Sequence, residues 1–174
     1  NPAGNGSVES YSSNFWAIND YYQFQFSTTN YSAISITWDA TSSATGPMDF
    51  KVQYSTDGSS FTDASGTNST YQLTNDSWTS ASTNGASTRT LDLSGVTALN
   101  SQPAVYIRLV MTSTTAVNLG VVATTGSSRV DNFTVTGSFT GSVTPYYSKS
   151  SGNLTDVATW GTNTDGTGTQ PANF

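Results

Sequence analysis

The chain has 174 residues, a formal net charge of −6, no cysteine and no histidine; only 9% is charged, and 28 Ser with 30 Thr make one residue in three a small hydroxyl. Without His or Cys there is no Ser-His-Asp triad, no Cys nucleophile and no imidazole or thiolate site for zinc or copper, so any metal would be a hard cation on oxygens, calcium above all. Five scattered cations at a pI near 4.1 argue against nucleic acid, and no apolar run approaches the roughly 20 residues of a membrane span.

The dominant period along the chain is two. Tyr22, Phe24 and Phe26 alternate with Tyr21, Gln23 and Gln25. Ile34, Ile36 and Trp38 alternate with Ser35 and Thr37, which places Trp38 in the core. Gly46-Pro47 separates that run from Phe50, Val52 and Tyr54, which alternate with Lys51 and Gln53. Asp57-Gly58, between Tyr54 and Phe61, predicts a hairpin turn, because glycine tolerates φ > 0. Residues 63–87 are a polar excursion with Tyr71, Leu73 and Trp78 as their main large apolar groups, long enough to suggest a functional loop.

Thr88 to Leu93 predicts a short strand with Leu91 and Leu93 inward. Val105, Ile107 and Leu109 alternate with Tyr106, Arg108 and Val110. Val117 to Ala123 reads as a further strand, interrupted by Gly120. Arg129 to Thr136 closes the set, but Val130 is out of phase with Phe133 and Val135, so a bulge is expected near Asp131-Asn132. Each run has an apolar face and a polar one, as half-buried antiparallel strands require. No ten-residue stretch has a helical stripe. Eight or nine short strands predict an all-β fold, a sandwich or barrel. The chain divides into 1–137, a Gly/Ser/Thr/Pro linker at 138–145, and an extension at 146–174 that is too short for a domain and reads as the start of a following region.

Aromatic residues make up 12% of the chain, which speaks against disorder despite the low charge. Abundant Ser, Thr, Asn and Gly without cysteine fit an exported bacterial protein, secreted or on the cell surface. A monomer is expected. The start at Asn1 suggests an excised piece of a longer precursor.

Several segments together resemble a known type of domain. They are Asp20-Tyr21-Tyr22-Gln23-Phe24, Ile34-Ser35-Ile36-Thr37-Trp38, Lys51-Val52-Gln53-Tyr54-Ser55-Thr56-Asp57-Gly58-Ser59-Ser60-Phe61, Val105-Tyr106-Ile107-Arg108-Leu109 and Ser128-Arg129-Val130-Asp131-Asn132-Phe133-Thr134-Val135. Over residues 16–137 the chain resembles the jelly-roll, carbohydrate-binding-module-like domains of large exported Bacteroidetes proteins. The resemblance implies a jelly-roll sandwich, a role as an accessory module, and a sheet face able to form a groove for a glycan. Ser151-Gly152-Asn153-Leu154 and Asp156-Val157-Ala158-Thr159-Trp160 resemble the opening of right-handed β-helical regions, which implies such a region farther along the parent protein.

Three groups of residues are candidates for a site. Gln23, Gln25, Lys51, Gln53, Tyr106 and Arg108 lie opposite the core-facing residues of their strands. They offer amides, two cations and a phenol to sugar hydroxyls, and the cations suit an acidic or sulfated glycan; alternatively they are ordinary solvated sheet residues. Trp78, with Tyr71 near it, is a stacking platform if the loop is exposed and a plug if the loop folds back; Trp16 is a weaker candidate of the same kind. The resemblance implies a structural calcium at Asp131, with partners such as Glu9, Asn19 or Asp20; the alternative is a pairing of Asp131 at the bulge. No pair of acids is singled out for hydrolysis, so the expectation is a non-catalytic polysaccharide-binding module, or else a structural or adhesive spacer with no glycan site.

Overall fold

A computed structural model describes residues 2–173. The chain divides between Thr140 and Gly141 into two compact units. The first is an antiparallel β-sandwich. Its strands are β1 (Tyr11–Ser13), β2 (Tyr21–Phe26), β3 (Tyr31–Ser42), β4 (Asp49–Ser55), β5 (Thr62–Asp63), β6 (Thr70–Gln72), β7 (Thr88–Asp92), β8 (Val105–Met111) and β9 (Ser128–Phe139). One sheet has the order β1-β9-β3-β7. The other runs β2-β8-β4-β5, with β6 also paired to β4. Apart from β4, β5 and β6, which share a sheet, successive strands alternate between sheets and late strands lie between early ones, the double Greek-key order of a jelly roll.

The period-two residues fill the space between the sheets. Ile34, Ile36 and Trp38 of β3 and Leu91 of β7 face Val52 of β4 and Val105, Ile107 and Leu109 of β8, all buried. Tyr22, Phe24 and Phe26 of β2 pack on the edge of this core with Phe133 and Val135 of β9. Phe24 stacks flat on Phe133, with ring centroids 3.9 Å apart. The expected bulge is present. Thr37 pairs with Thr134 but Asp39 pairs with Asp131, so Asn132 and Phe133 oppose Trp38 alone. Asn132 takes the left-handed conformation, φ 50°, which an asparagine tolerates. The extra residue puts Val130 and Phe133 on the same inner face.

The strand expected at Val117–Ala123 is absent. Only isolated bridges occur there, Pro47 to Ala116 and Thr115 to Val121, and Leu119 is left-handed and largely exposed. Its apolar residues form a turn anchored by Ala116, without the alternation that buries one strand face.

Tyr22 donates its hydroxyl to the Ser128 carbonyl at 2.7 Å, and burial pushes its pKa up to about 12. An unfolded tyrosine titrates near 10. Between those values the unfolded chain loses the phenol proton first, so stability is intact below about pH 10 and falls as pH rises toward 12. Tyr22→Phe is expected to flatten the decline of Tm over that window in a pH series.

The second unit, Gly141–Phe174, holds β10 (Tyr147–Ser148) antiparallel to β11 (Trp160–Gly161). Asp156 caps the 3-10 turn Val157–Thr159 through the Ala158 amide, and Trp160 donates its indole N–H to the Leu154 carbonyl. Among the described residues no helix is long and apolar enough to cross a membrane.

Candidate functional site

The outer face of the β2-β8-β4-β5 sheet brings the six polar residues together. Register places Gln23 opposite Arg108, Arg108 opposite Gln53, and Gln53 opposite Asp63, a row across four strands. At about 4.8 Å per strand it spans roughly 14 Å. Gln25 and Tyr106 are paired in a neighbouring row, and Lys51 pairs with Val110 on the other side.

Arg108 is the centre of this surface. Its guanidinium carbon lies 3.9 Å from the Tyr21 ring centroid and 3.5 Å from that of Phe61. Both rings are therefore in cation–π contact with the guanidinium. Its Nε donates to Gln23 Oε1 at 2.8 Å. Phe61 reaches this position because the β4–β5 turn is tightly organised. Asp57 accepts the Ser59 and Ser60 amides, which hold its carboxyl below the usual range, and Gly58 adopts φ 73°. The Tyr106 ring lies against Gly58, where an added Cβ would stand 3.0 Å from the nearest ring carbon. Lys51 pairs with Asp63 at 2.9 Å, and Gln53 donates to the same carboxylate at 2.7 Å. The Lys51 hydrogen bond leads in holding the Asp63 carboxyl below its ordinary pKa.

The outer face of the other sheet is covered at the end that carries Asp39 and Thr41. Residues 74–87 cross it, tied by Thr41 Oγ1 to the Thr74 carbonyl and by the Asp76 amide to Thr41 Oγ1. Trp78 is therefore buried. Its indole N–H donates to Ser87 Oγ at 2.8 Å, and Arg129 lies over its ring at 5.1 Å. Tyr71 is buried as well, against Trp38 and Phe50, and burial pushes its phenol pKa up. Neither residue is the exposed loop platform the sequence suggested, because the loop folds back and uses its aromatics as packing. Trp16 packs edge-on against Tyr22 and Phe50.

Beneath this cover lies a polar network that sequence reasoning missed. Asp39, only 3% exposed, accepts hydrogen bonds from Asn5 Nδ2, Asn132 Nδ2 and Thr88 Oγ1 at 2.9, 2.7 and 2.6 Å. Asn5 also accepts the Asn84 amide, which joins the N-terminal segment to the 74–87 cover. Asp39 is in phase with Ser35 and Thr37 on the outer face, so alternation predicts exposure; the two segments laid over it reverse that.

Asp131 belongs to the same region. Its Oδ2 accepts the Asn5 amide at 2.8 Å and the Ser7 hydroxyl at 2.7 Å. Glu9 lines a cleft with Asp131, and its carbonyl also faces the Ser7 hydroxyl. Asp20 is elsewhere, accepting the Ala17 amide in the turn before β2. Asn19, left-handed in that same turn, donates its amide to the Met111 carbonyl. Among the described residues no group of three acidic ligands could hold a metal ion. Calcium seeks six to eight oxygens. The Asp131 carboxylate is engaged by N–H and O–H donors, which make it an anchor for the N-terminal segment. EDTA is expected to leave Tm unmoved in a thermal melt; a fall of several degrees, restored by calcium, would reinstate the cation.

A cleft of about 430 Å³ opens where the edges of the two sheets face each other, lined by Tyr11, Tyr22, Gln23, Phe24 and Phe133. Gln23 thus borders both the cleft and the Arg108 row. Tyr21, Phe61 and Asp63 are the site residues that sequence reasoning missed. Tyr21 was readable from its phase with Gln23 and Gln25, while Phe61 depends on how a turn folds back. Comparison with protein-family models, with curated proteins and with solved structures finds no match for this chain.

Proposed function

We propose that this chain is a non-catalytic polysaccharide-binding module of an exported bacterial protein, and that it binds through the outer face of the β2-β8-β4-β5 sheet. The observation that carries the reading is the arrangement around Arg108. Two rings flank the guanidinium in a row of amide and carboxylate side chains, on a sheet face that the β4–β5 turn overlies only at Tyr106 and Arg108. Gln25, Lys51, Gln53 and Tyr106 widen the face. Amides and a phenol match sugar hydroxyls, and the edges of Tyr21 and Phe61 supply apolar surface. Catalysis finds no support in the acids here. Asp57 and Asp63 are held below their ordinary pKa, whereas a general acid needs a raised one.

The second reading is a structural or adhesive spacer of a cell-surface protein, favoured by the burial of Trp78 and Tyr71, which removes the loop platform. A glycan array covering plant, algal and host polysaccharides, followed by affinity electrophoresis of the full chain and its Tyr21→Ala and Phe61→Ala variants, separates the two. Binding that weakens in both variants is the expected result. An array with no signal would leave the spacer.

A further inference from the structure

We infer that the ligand of this sheet face carries an anionic group, a carboxylate or a sulfate ester, taken by the two terminal nitrogens of Arg108. This inference rests on the polysaccharide reading and narrows its ligand.

The argument starts from the five cations of the chain. Lys51 is neutralised by Asp63. Arg89 donates to the carbonyls of Ala86, Thr88 and Gln72, and Arg129 to that of Ala3. Lys149, in the second unit, donates to the carbonyl of Ala158. Arg108 spends only its Nε, on the neutral Gln23 amide oxygen, and among the described residues it is the arginine with neither terminal nitrogen donating to the protein. The Tyr21 and Phe61 rings flank its guanidinium and Gln23 takes its Nε. The edge that remains is the Nη1/Nη2 pair, which presents parallel N–H donors at the spacing of a carboxylate or sulfate oxygen pair. The rings also hold the side chain in place, so little rotamer freedom remains to be lost on binding, and they strip water from the cation, which strengthens its pairing with an anion. A neutral hydroxyl would use one donor and leave the charge unmatched. Gln23 and Gln53, on either side in the row, are placed to take neighbouring hydroxyls.

The test is affinity electrophoresis of the full chain at low salt against polygalacturonate, its methyl ester, dextran and dextran sulfate. Wild type is run beside Arg108→Gln, Arg108→Lys and Lys149→Gln, with Tm measured for each. The expected result is retardation by polygalacturonate or dextran sulfate, at least tenfold stronger than by the matching neutral polymer. Retardation by polygalacturonate alone assigns a uronate, and by dextran sulfate alone a sulfate ester. Arg108→Gln should lose at least tenfold, Arg108→Lys should lose part of the binding because it keeps charge but not the fork, and Lys149→Gln should be unchanged. Equal retardation by neutral and charged polymers would overturn the anionic ligand and leave the polysaccharide reading intact. So would anionic binding that survives in Arg108→Gln. Should Arg108→Gln lower Tm, the folded Arg108→Lys variant and the esterified polymer carry the same decision. No retardation by any polymer, together with a blank glycan array, overturns both.

Discussion

Asp39→Ala is expected to lower the unfolding free energy of the sandwich by about 2–5 kcal/mol, because it leaves three buried N–H and O–H donors unsatisfied at about 1–3 kcal/mol each, with overlap. The carboxylate is almost fully enclosed, and its loss strands three donors, Asn5 Nδ2, Asn132 Nδ2 and Thr88 Oγ1. Those donors come from the N-terminal segment, β9 and the start of β7, so the damage is not local. The Asn5 side chain would keep its two bonds to Asn84 but lose its tie to β3, so the N-terminal segment and residues 74–87 would loosen together from the sheet. Urea denaturation followed by far-UV circular dichroism measures the loss. Limited proteolysis should find new cleavage near residues 5–10 and 76–87. A variant within 1 kcal/mol of wild type would mean that water replaces the carboxylate without penalty, against the general cost of stranded buried donors.

Trp38→Ala is expected to cost a similar amount, about 3–5 kcal/mol, by a different route. Trp38 is fully buried between the sheets, edge-on to Tyr71 at 5.3 Å, and its removal leaves a cavity that rigid strands on both sides cannot close. Its buried indole N–H makes no well-formed hydrogen bond among the described residues, only a poor approach to the Tyr71 phenol. That gives a contrast. Trp38→Phe loses volume but also removes the poorly paired donor, so it should cost only about 1–2 kcal/mol, less than its lost surface alone implies. Equal costs for Phe and Ala would mean that the donor carries no penalty.

How much of this was legible depends on range. The strands were readable because alternation is local. β2, β4 and β8 carry their inward and outward residues in the expected phase, and even the bulge at Asn132 follows from counting Val130 against Phe133. The shared polar face was only half readable. Alternation places Gln23, Lys51 and Arg108 outward, but only the sheet order brings them to one surface. The burial of Trp78, left open between platform and plug, and that of Asp39, which alternation alone would expose, have one reason. Whether a sheet face meets water depends on a segment remote in sequence, and nothing in residues 74–87 marks them as a cover rather than a free loop. Phe61 was hidden because a turn's geometry, set by Asp57 and Gly58, decides which ring reaches Arg108.

The brevity of β1 has a consequence for how molecules meet. It pairs with β9 only from Ser128 to Val130, so β9 runs on to Phe139 with one neighbour, β3. An unpaired strand edge is a template onto which another chain can add. Here the edge is broken at both ends of its free stretch. Asn132 turns left-handed at one bulge, and at the other Ala33, at φ 51°, and Ile34 of β3 together oppose Gly137, where the pairing slips from Ser32–Ser138 to Ser35–Thr136. Each irregularity bends the strand away from the flat geometry that edge-to-edge pairing needs. The same irregularities that bring Val130 into the core also keep one sandwich from zipping onto the next.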